Sequence, residues 1–105
     1  MLLVETSIFT KRLRQVLNDD QYRLLQISLI DAPGAGQVIR GSGGLRKLRW
    51  SASGRGKRGG ARIIYRWFPE HDRLLMVFVF LKNEREDLTG QQLKVLRALV
   101  ESELK

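Results

Sequence analysis

The sequence predicts an α+β fold: a small, mostly antiparallel sheet with an N-terminal helical hairpin and a C-terminal helix. Apolar residues recur at helical spacing before residue 30 and after residue 90. Between them, two stretches alternate apolar and charged residues, and a third, residues 74–81, is an unbroken apolar run. Strands that follow one another through short loops, flanked by helices, are typical of α+β proteins. The predicted order is β-α-α-β-β-β-α, in a single domain spanning residues 1–105.

The first three elements are predicted from the N-terminal third of the chain. Residues 2–5 favour a short strand, and Thr6 or Ser7 can cap the helix that follows. One of the three polar residues 18–20 can cap a second helix, which Pro33 ends. Because so short a turn separates the two helices, we expect them to form an αα-hairpin.

The middle of the chain predicts a hairpin of two basic strands. Residues 45–50 and 61–67 are the strands, and residues 51–60, rich in glycine and cations, are the predicted loop between them. Alternation turns Leu48 and Trp50 towards the core. Lys47 and Arg49 therefore share the opposite face of the first strand, and Arg62 and Arg66 share one face of the second.

The last strand and helix are predicted from residues 74 onwards. The apolar run at 74–81 favours a central strand that is covered on both faces. Thr89 and Gln92 have the spacing of a capping box at the start of the last helix.

Composition excludes several classes of site. The chain has no cysteine and one histidine, His71, so disulfides, thiolate chemistry and the usual zinc ligand sets are excluded and no metal or cofactor is expected. The N-terminus has no basic segment, and the longest apolar run is far shorter than the ~20 residues that span a bilayer. We therefore expect neither a signal peptide nor a membrane anchor, and a cytoplasmic location.

The positive charge is concentrated in one part of the chain. The net charge is +8, and residues 40–66, the basic stretch, carry nine Lys and Arg but no Asp or Glu. The rest of the chain is close to neutral. Such a distribution is typical of a phosphate-binding surface. If the two basic strands pair, Arg62 comes close to Lys47 or Arg49, and like charges at that distance favour a bound anion between them.

Three motifs of the sequence resemble toxins of the RelE/ParE superfamily, and most closely its HigB-type branch. They are GGLRKLR at residues 43–49, GRGKRGGARIIY at residues 54–65, and KNE at residues 82–84, after the apolar strand. RelE itself has an arginine where this chain has Asn83 and a tyrosine near the position of Thr89. The KNE form is shared by the HigB-type branch.

The resemblance implies a RelE-like fold and a toxin that cuts mRNA in the ribosomal A site. It also implies a cognate antitoxin, which we expect to be of the helix-turn-helix kind and to carry the complex to operator DNA. Lys47 and Arg49 match the family's cationic pair, Arg62 the arginine that clamps the phosphate, and Lys82 the basic residue after the fourth strand.

A hypothesis for the chemistry follows from these residues. The RNA 2′-hydroxyl attacks the adjacent phosphate and leaves a cyclic phosphate, without a metal. No histidine or carboxylate is expected at the site, and arginine cannot be the base. A lysine can be, where neighbouring cations favour its neutral form. Lys47 is therefore the candidate base, Arg62 the phosphate clamp, Arg49 a second stabiliser and Lys82 the candidate acid. Five further cations are expected to contact RNA: Arg46, Arg55, Lys57, Arg58 and Arg66.

Two other functions fit the same sequence. A ParE-like toxin shares the fold but poisons DNA gyrase, and a non-catalytic RNA-binding protein shares the charge. The set of Lys47, Arg49, Arg62 and Lys82 favours RNA cleavage over the first. Composition does not separate cleavage from simple binding. Attachment to a membrane surface fits less well, because the basic stretch lacks an amphipathic helix.

Overall fold

A computed structural model of the protein describes residues 1–52, 56–84 and 87–103, except for the side chains of residues 52 and 56–59. The strands and helices follow one another in the order β1 (Leu2–Glu5), α1 (Ser7–Val16), α2 (Asp19–Asp31), β2 (Gln37–Val38), β3 (Arg46–Ala52), β4 (Gly56–Phe68), β5 (Arg73–Leu81) and α3 (Gly90–Glu103). A single 3-10 turn, Pro69–His71, connects β4 to β5. The fold class is the predicted one. None of the helices in the described part of the chain has the length and apolar character needed to cross a membrane.

The helices begin where the sequence predicts, because polar side chains satisfy their first N–H groups. Thr6 caps α1, and its Oγ1 accepts a hydrogen bond from the Phe9 N–H at 3.1 Å. Asn18 and Gln21 form a capping box at the start of α2. Thr89 and Gln92 exchange the same pair of bonds before α3. These caps use the donors that a helix N-terminus leaves without an intrahelical partner.

The five strands form one mixed sheet in the order β1-β5-β4-β3-β2. β1 runs parallel to β5, and the other neighbours are antiparallel. β5 is buried at every residue after Arg73, which confirms the prediction of a central strand. The two-residue strand β2 was not predicted. It pairs with Arg46 and Lys47 of β3 and is too short to give a periodic pattern.

The prediction of a loop at residues 51–60 is wrong for most of that segment. Residues 51–52 and 56–60 continue β3 and β4, and Ala52 pairs with Gly56. The strand ladder is held by backbone hydrogen bonds, so it continues through glycines that have no side-chain pattern. Residues 53–55 lie outside the described residues.

The sheet has a different cover on each face. One face packs against α1 and α2 through buried residues such as Ile63, Tyr65 and Leu25. The other packs against α3 through Ile64, Phe78, Phe80, Leu96 and Val100, among others. As predicted, Leu48 and Trp50 pack on the first face. The cations that alternate with them on β3 therefore lie on the α3 face.

Thr6→Val should lower the free energy of unfolding by about 2–3 kcal/mol. Thr6 is 1% exposed, and its hydroxyl also donates to the Val77 carbonyl of β5 at 2.8 Å. Valine has a similar shape but leaves both partners buried without a bond. The control Thr89→Val removes an exposed cap and should cost about 1 kcal/mol. Urea denaturation measures both, and equal losses would contradict this role for Thr6.

Candidate phosphate-binding site

The pairing of β3 with β4 brings three cations together on the face that α3 covers. Arg49 is directly opposite Arg62, and Lys47 is opposite Ile64. Directly opposed residues of an antiparallel pair share a face of the sheet. The structure thus places Lys47, Arg49 and Arg62, the cation cluster, side by side as the alternation predicts.

Arg62 is the buried member of the cation cluster. It is 7% exposed, and within the described residues its guanidinium makes one hydrogen bond, to the Ala61 carbonyl at 3.3 Å. Burial and then the charge of Arg49 lower the pKa of Arg62 from its ordinary value, whereas Asp87 raises it. A guanidinium has five donors. Most of the donors of Arg62 therefore have no partner in the described part of the chain, in a position where an anion would relieve the cost of burying the charge.

A carboxylate that the sequence analysis did not expect lies at the same site. Lys47 Nζ donates to Asp87 Oδ2 at 2.9 Å, and Asp87 Oδ1 accepts from the Leu88 N–H at 2.8 Å. Partial burial raises the pKa of Asp87. Two hydrogen bonds, from Lys47 and Leu88, and two positive charges, those of Lys47 and Arg62, lower it. Their effect is larger than that of burial, so the pKa of Asp87 lies below its ordinary value.

The expectation that no carboxylate lies here is therefore wrong, for a topological reason. Asp87 belongs to the segment that joins β5 to α3. β5 is hydrogen-bonded to β4 beside Arg62, and α3 packs over this face, so the joining segment has to pass the cation cluster. The ion pair between Asp87 and Lys47 is partly exposed: the side chain of Asp87 is 58% exposed and that of Lys47 is 29% exposed. Exposed pairs are weak, so this ion pair stabilises the free protein little.

Lys82 lies at the edge of the site. Its backbone N–H donates to the Gly60 carbonyl at 3.1 Å, two residues beyond Phe80, which pairs with Arg62. Its side chain is exposed and forms no hydrogen bond or ion pair within residues 1–52, 56–84 and 87–103. Lys82 is thus near the cation cluster along the ladder but is not in contact with it.

Of the five other cations predicted to contact RNA, Arg46 does not join the cation cluster. Its Nη1 donates to the carbonyls of Gly34 and Gly36 at 3.2 and 2.8 Å, and its guanidinium lies 5.9 Å from the ring centroid of Trp67. Alternation places it on the α1–α2 face, beside Leu48. Arg46 therefore holds the segment after α2 in place.

Arg66 is on the same face as Arg62, four residues further along β4. It is half-buried, with its guanidinium 4.7 Å from the ring centroid of Phe68. The predictions for Arg55 and for the side chains of Lys57 and Arg58 fall outside the described residues. Within those residues, no three His, Cys, Asp or Glu side chains are grouped so that they could hold a metal ion.

Comparison with solved structures finds the same fold in a bacterial toxin. A mutant of the E. coli toxin RelE in its free state matches with a TM-score of 0.57 and 19% identity, covering 81% of this chain and 86% of that chain. The intact E. coli RelBE toxin–antitoxin complex matches with a TM-score of 0.55 and 18% identity, covering 74% and 92%. No family model matches the sequence. The chain therefore has a RelE-like fold.

Asp87→Asn should reduce stability near neutral pH but not in acid. A carboxyl whose pKa is lowered by folding stabilises the protein above its unfolded pKa of about 3.9, and this contribution disappears as the pH falls through the folded pKa. Because Asp87 is exposed, the difference at pH 7 should be at most about 1 kcal/mol.

Urea denaturation at pH 7, 5, 4 and 3 measures that difference. Asp31→Asn is the control for net charge, because Asp31 is exposed and forms no ion pair within the described residues. A difference between the native chain and Asp87→Asn that stays constant down to pH 3 would count against the pair with Lys47.

Proposed function

We propose that this chain, whose fold is that of the toxin RelE, is the toxin of a type II toxin–antitoxin system. It acts as a ribosome-dependent mRNA endoribonuclease and so inhibits translation. The observation that carries the proposal is Arg62, which is buried, lies directly opposite Arg49, and has one hydrogen-bond partner among the described residues. That arrangement costs free energy in the free protein, and a phosphate group with its negative oxygens relieves the cost.

The cation cluster fits cleavage by the RNA's own 2′-hydroxyl. The hydroxyl loses its proton and its oxygen bonds to the adjacent phosphorus. The bond from phosphorus to the 5′-oxygen breaks, and that oxygen takes up a proton. The products are a 2′,3′-cyclic phosphate and a 5′-hydroxyl. Negative charge builds up on the phosphate oxygens in the transition state, where fixed positive groups stabilise it. Arg62 and Arg49 supply those groups, and the chemistry needs no metal.

Two groups at the site can accept the proton of the 2′-hydroxyl. Lys47 is the first, and it can act only in its neutral form. Asp87, whose carboxylate accepts a hydrogen bond from Lys47 at 2.9 Å, is the second. A general base has to lie within hydrogen-bonding distance of the proton that it removes. Lys82 at the edge of the site is the candidate donor to the 5′-oxygen. A rate that rises with pH through the acid range identifies Asp87 as the base, because its pKa lies below the ordinary value.

The cleavage reaction should depend on the ribosome, because the site has few titrating groups that could transfer protons. Alignment of the reacting atoms can supply much of a rate enhancement. A ribosome that holds the mRNA in a fixed conformation would supply this alignment, while the protein supplies charge. The remaining basic residues of β4, with Arg66 among those described, then contact mRNA or ribosomal RNA.

The proposed partner is a cognate antitoxin. The RelBE complex is the precedent among proteins with this fold. An antitoxin of the helix-turn-helix kind would bind operator DNA, and the toxin would reach DNA only through that complex.

Arg62→Gln should abolish toxicity in cells and lower mRNA cleavage by about 10²-fold or more, because the group that stabilises the phosphate is lost. Arg14→Gln is the matched control, since it removes an exposed cation from α1 with the same change in net charge. Growth after induction and primer extension on cellular mRNA measure the two effects, and circular dichroism checks the fold.

Three results would contradict the proposal. Growth arrest by Arg62→Gln equal to that of the native chain removes Arg62 from the site. Growth arrest with cleaved DNA and no new mRNA ends indicates a gyrase poison. Ribosome binding without cleavage indicates an RNA-binding protein.

Binding to single-stranded RNA should weaken steeply as salt rises. Each neutralised phosphate contributes a slope of about −0.7 to the plot of log affinity against log salt. Three or more contacts should therefore give a slope of about −2 or steeper. Fluorescence anisotropy between about 50 and 300 mM salt measures the slope. An affinity that does not change with salt would contradict the proposal that this surface binds phosphates.

A further inference from the structure

A turn at residues 40–44, the glycine turn, leads from β2 into β3 and is approached by two arginines from other elements. Gly43 and Gly44 have φ values of +74° and +103°, a conformation that favours glycine. A Cβ atom at Gly43 would lie 2.9 Å from Arg97 Nε, and one at Gly44 would lie 3.2 Å from Arg66 Nε. Both guanidinium groups therefore lie close to the backbone of the turn, where a Cβ atom would push them away.

The charges around the glycine turn are poorly compensated. Arg66 forms no ion pair within the described residues and lies over the Phe68 ring. Arg97 has one partner, Glu101, at 3.3 Å, and the two side chains are 53% and 61% exposed. A pair as exposed as this stabilises little and is easily exchanged. Arg40, also exposed, begins the turn.

Backbone donors lie beside these arginines. The N–H groups of Gly43 and Gly44 have no acceptor within the described residues. Backbone N–H groups in tight turns, together with arginines, are common ligands of phosphate. We propose that the glycine turn with Arg66 and Arg97 is a second phosphate-binding site, which holds the RNA backbone away from the scissile bond. This inference rests on the RNA binding proposed above.

The position of this second site relative to the cation cluster suits a continuous strand of RNA. Arg62 and Arg66 are on the same face of β4 and four residues apart, which corresponds to about 13 Å along a strand. A stacked strand advances about 3.4 Å per nucleotide along its axis and an extended one advances further, so a strand of a few nucleotides spans this distance. The second site therefore adds affinity and sets the path of the strand, and takes no part in bond breaking.

Arg97→Ala tests the second site. With a single-stranded RNA of ten uridines and the full chain, fluorescence anisotropy should show a loss of affinity of about 3- to 10-fold. The salt slope should become shallower by about 0.7, the contribution of one phosphate. Arg97→Lys should keep the slope, because it keeps the charge. Lys94→Ala is the control, since it removes an exposed cation from the same helix, and no atom of Lys94 is among those nearest to Gly43 or Gly44.

Two glycine variants test the role of the turn without changing the net charge. Gly43→Ala places a methyl group against Arg97, whereas Gly41→Ala has the same kind of strain at φ +73° with no atom within 4 Å of its Cβ. Gly43→Ala should therefore lose RNA affinity relative to Gly41→Ala, although both keep Arg97. The comparison is made with variants whose thermal unfolding midpoints agree.

The results distinguish this inference from the proposed function. If the native chain shows no salt-dependent RNA binding, the proposed function fails, and the second site with it. If the native chain binds and Arg97→Ala has the same affinity and slope as Lys94→Ala, the second site is overturned and the proposed function stands. Equal affinities of Gly43→Ala and Gly41→Ala overturn the role given to the turn.

Discussion

The register of β3 against β4 is the constraint on which the site depends. It places Arg49 opposite Arg62, two positive charges at a distance that is unfavourable without an anion. Apolar packing on the other face fixes that register, because a slip of one residue would turn Arg62 into the core and Ile63 out of it. Ile63 is fully buried against α1 and α2. Apolar packing on one face of the sheet thus keeps Arg49 and Arg62 opposite each other on the other face.

The free protein compensates this repulsion only in part. Asp87 pairs with Lys47 and lies close enough to Arg62 to affect its pKa. The same carboxylate is exposed and is carried by a connecting segment, so its pair with Lys47 is weak. Like charges placed so close together lower the stability of the free protein, and a bound anion would compensate them.

Positive charge alone is a poor guide to which residues form the proposed phosphate-binding surface. Arg46 and Lys47 are neighbours in the basic stretch, yet Arg46 anchors the backbone after α2 while Lys47 joins the cation cluster. Arg97 lies outside the basic stretch and approaches the glycine turn from α3. Membership of the proposed surface therefore depends on the side of the sheet on which each cation lies, and α3 adds Arg97 to it.

The sequence by itself determined the features that depend on near neighbours along the chain. The caps at Thr6 and Thr89, the buried strand β5, and the shared face of Lys47 and Arg49 follow from local spacing, because helix and strand geometry repeat over two to four residues. Tertiary structure decided the rest. The contact of Lys47 with Asp87, that of Gly43 with Arg97, and the strand β2 join segments distant in sequence or too short for a period. Such contacts depend on how the sheet pairs and where α3 packs, and no local pattern encodes them.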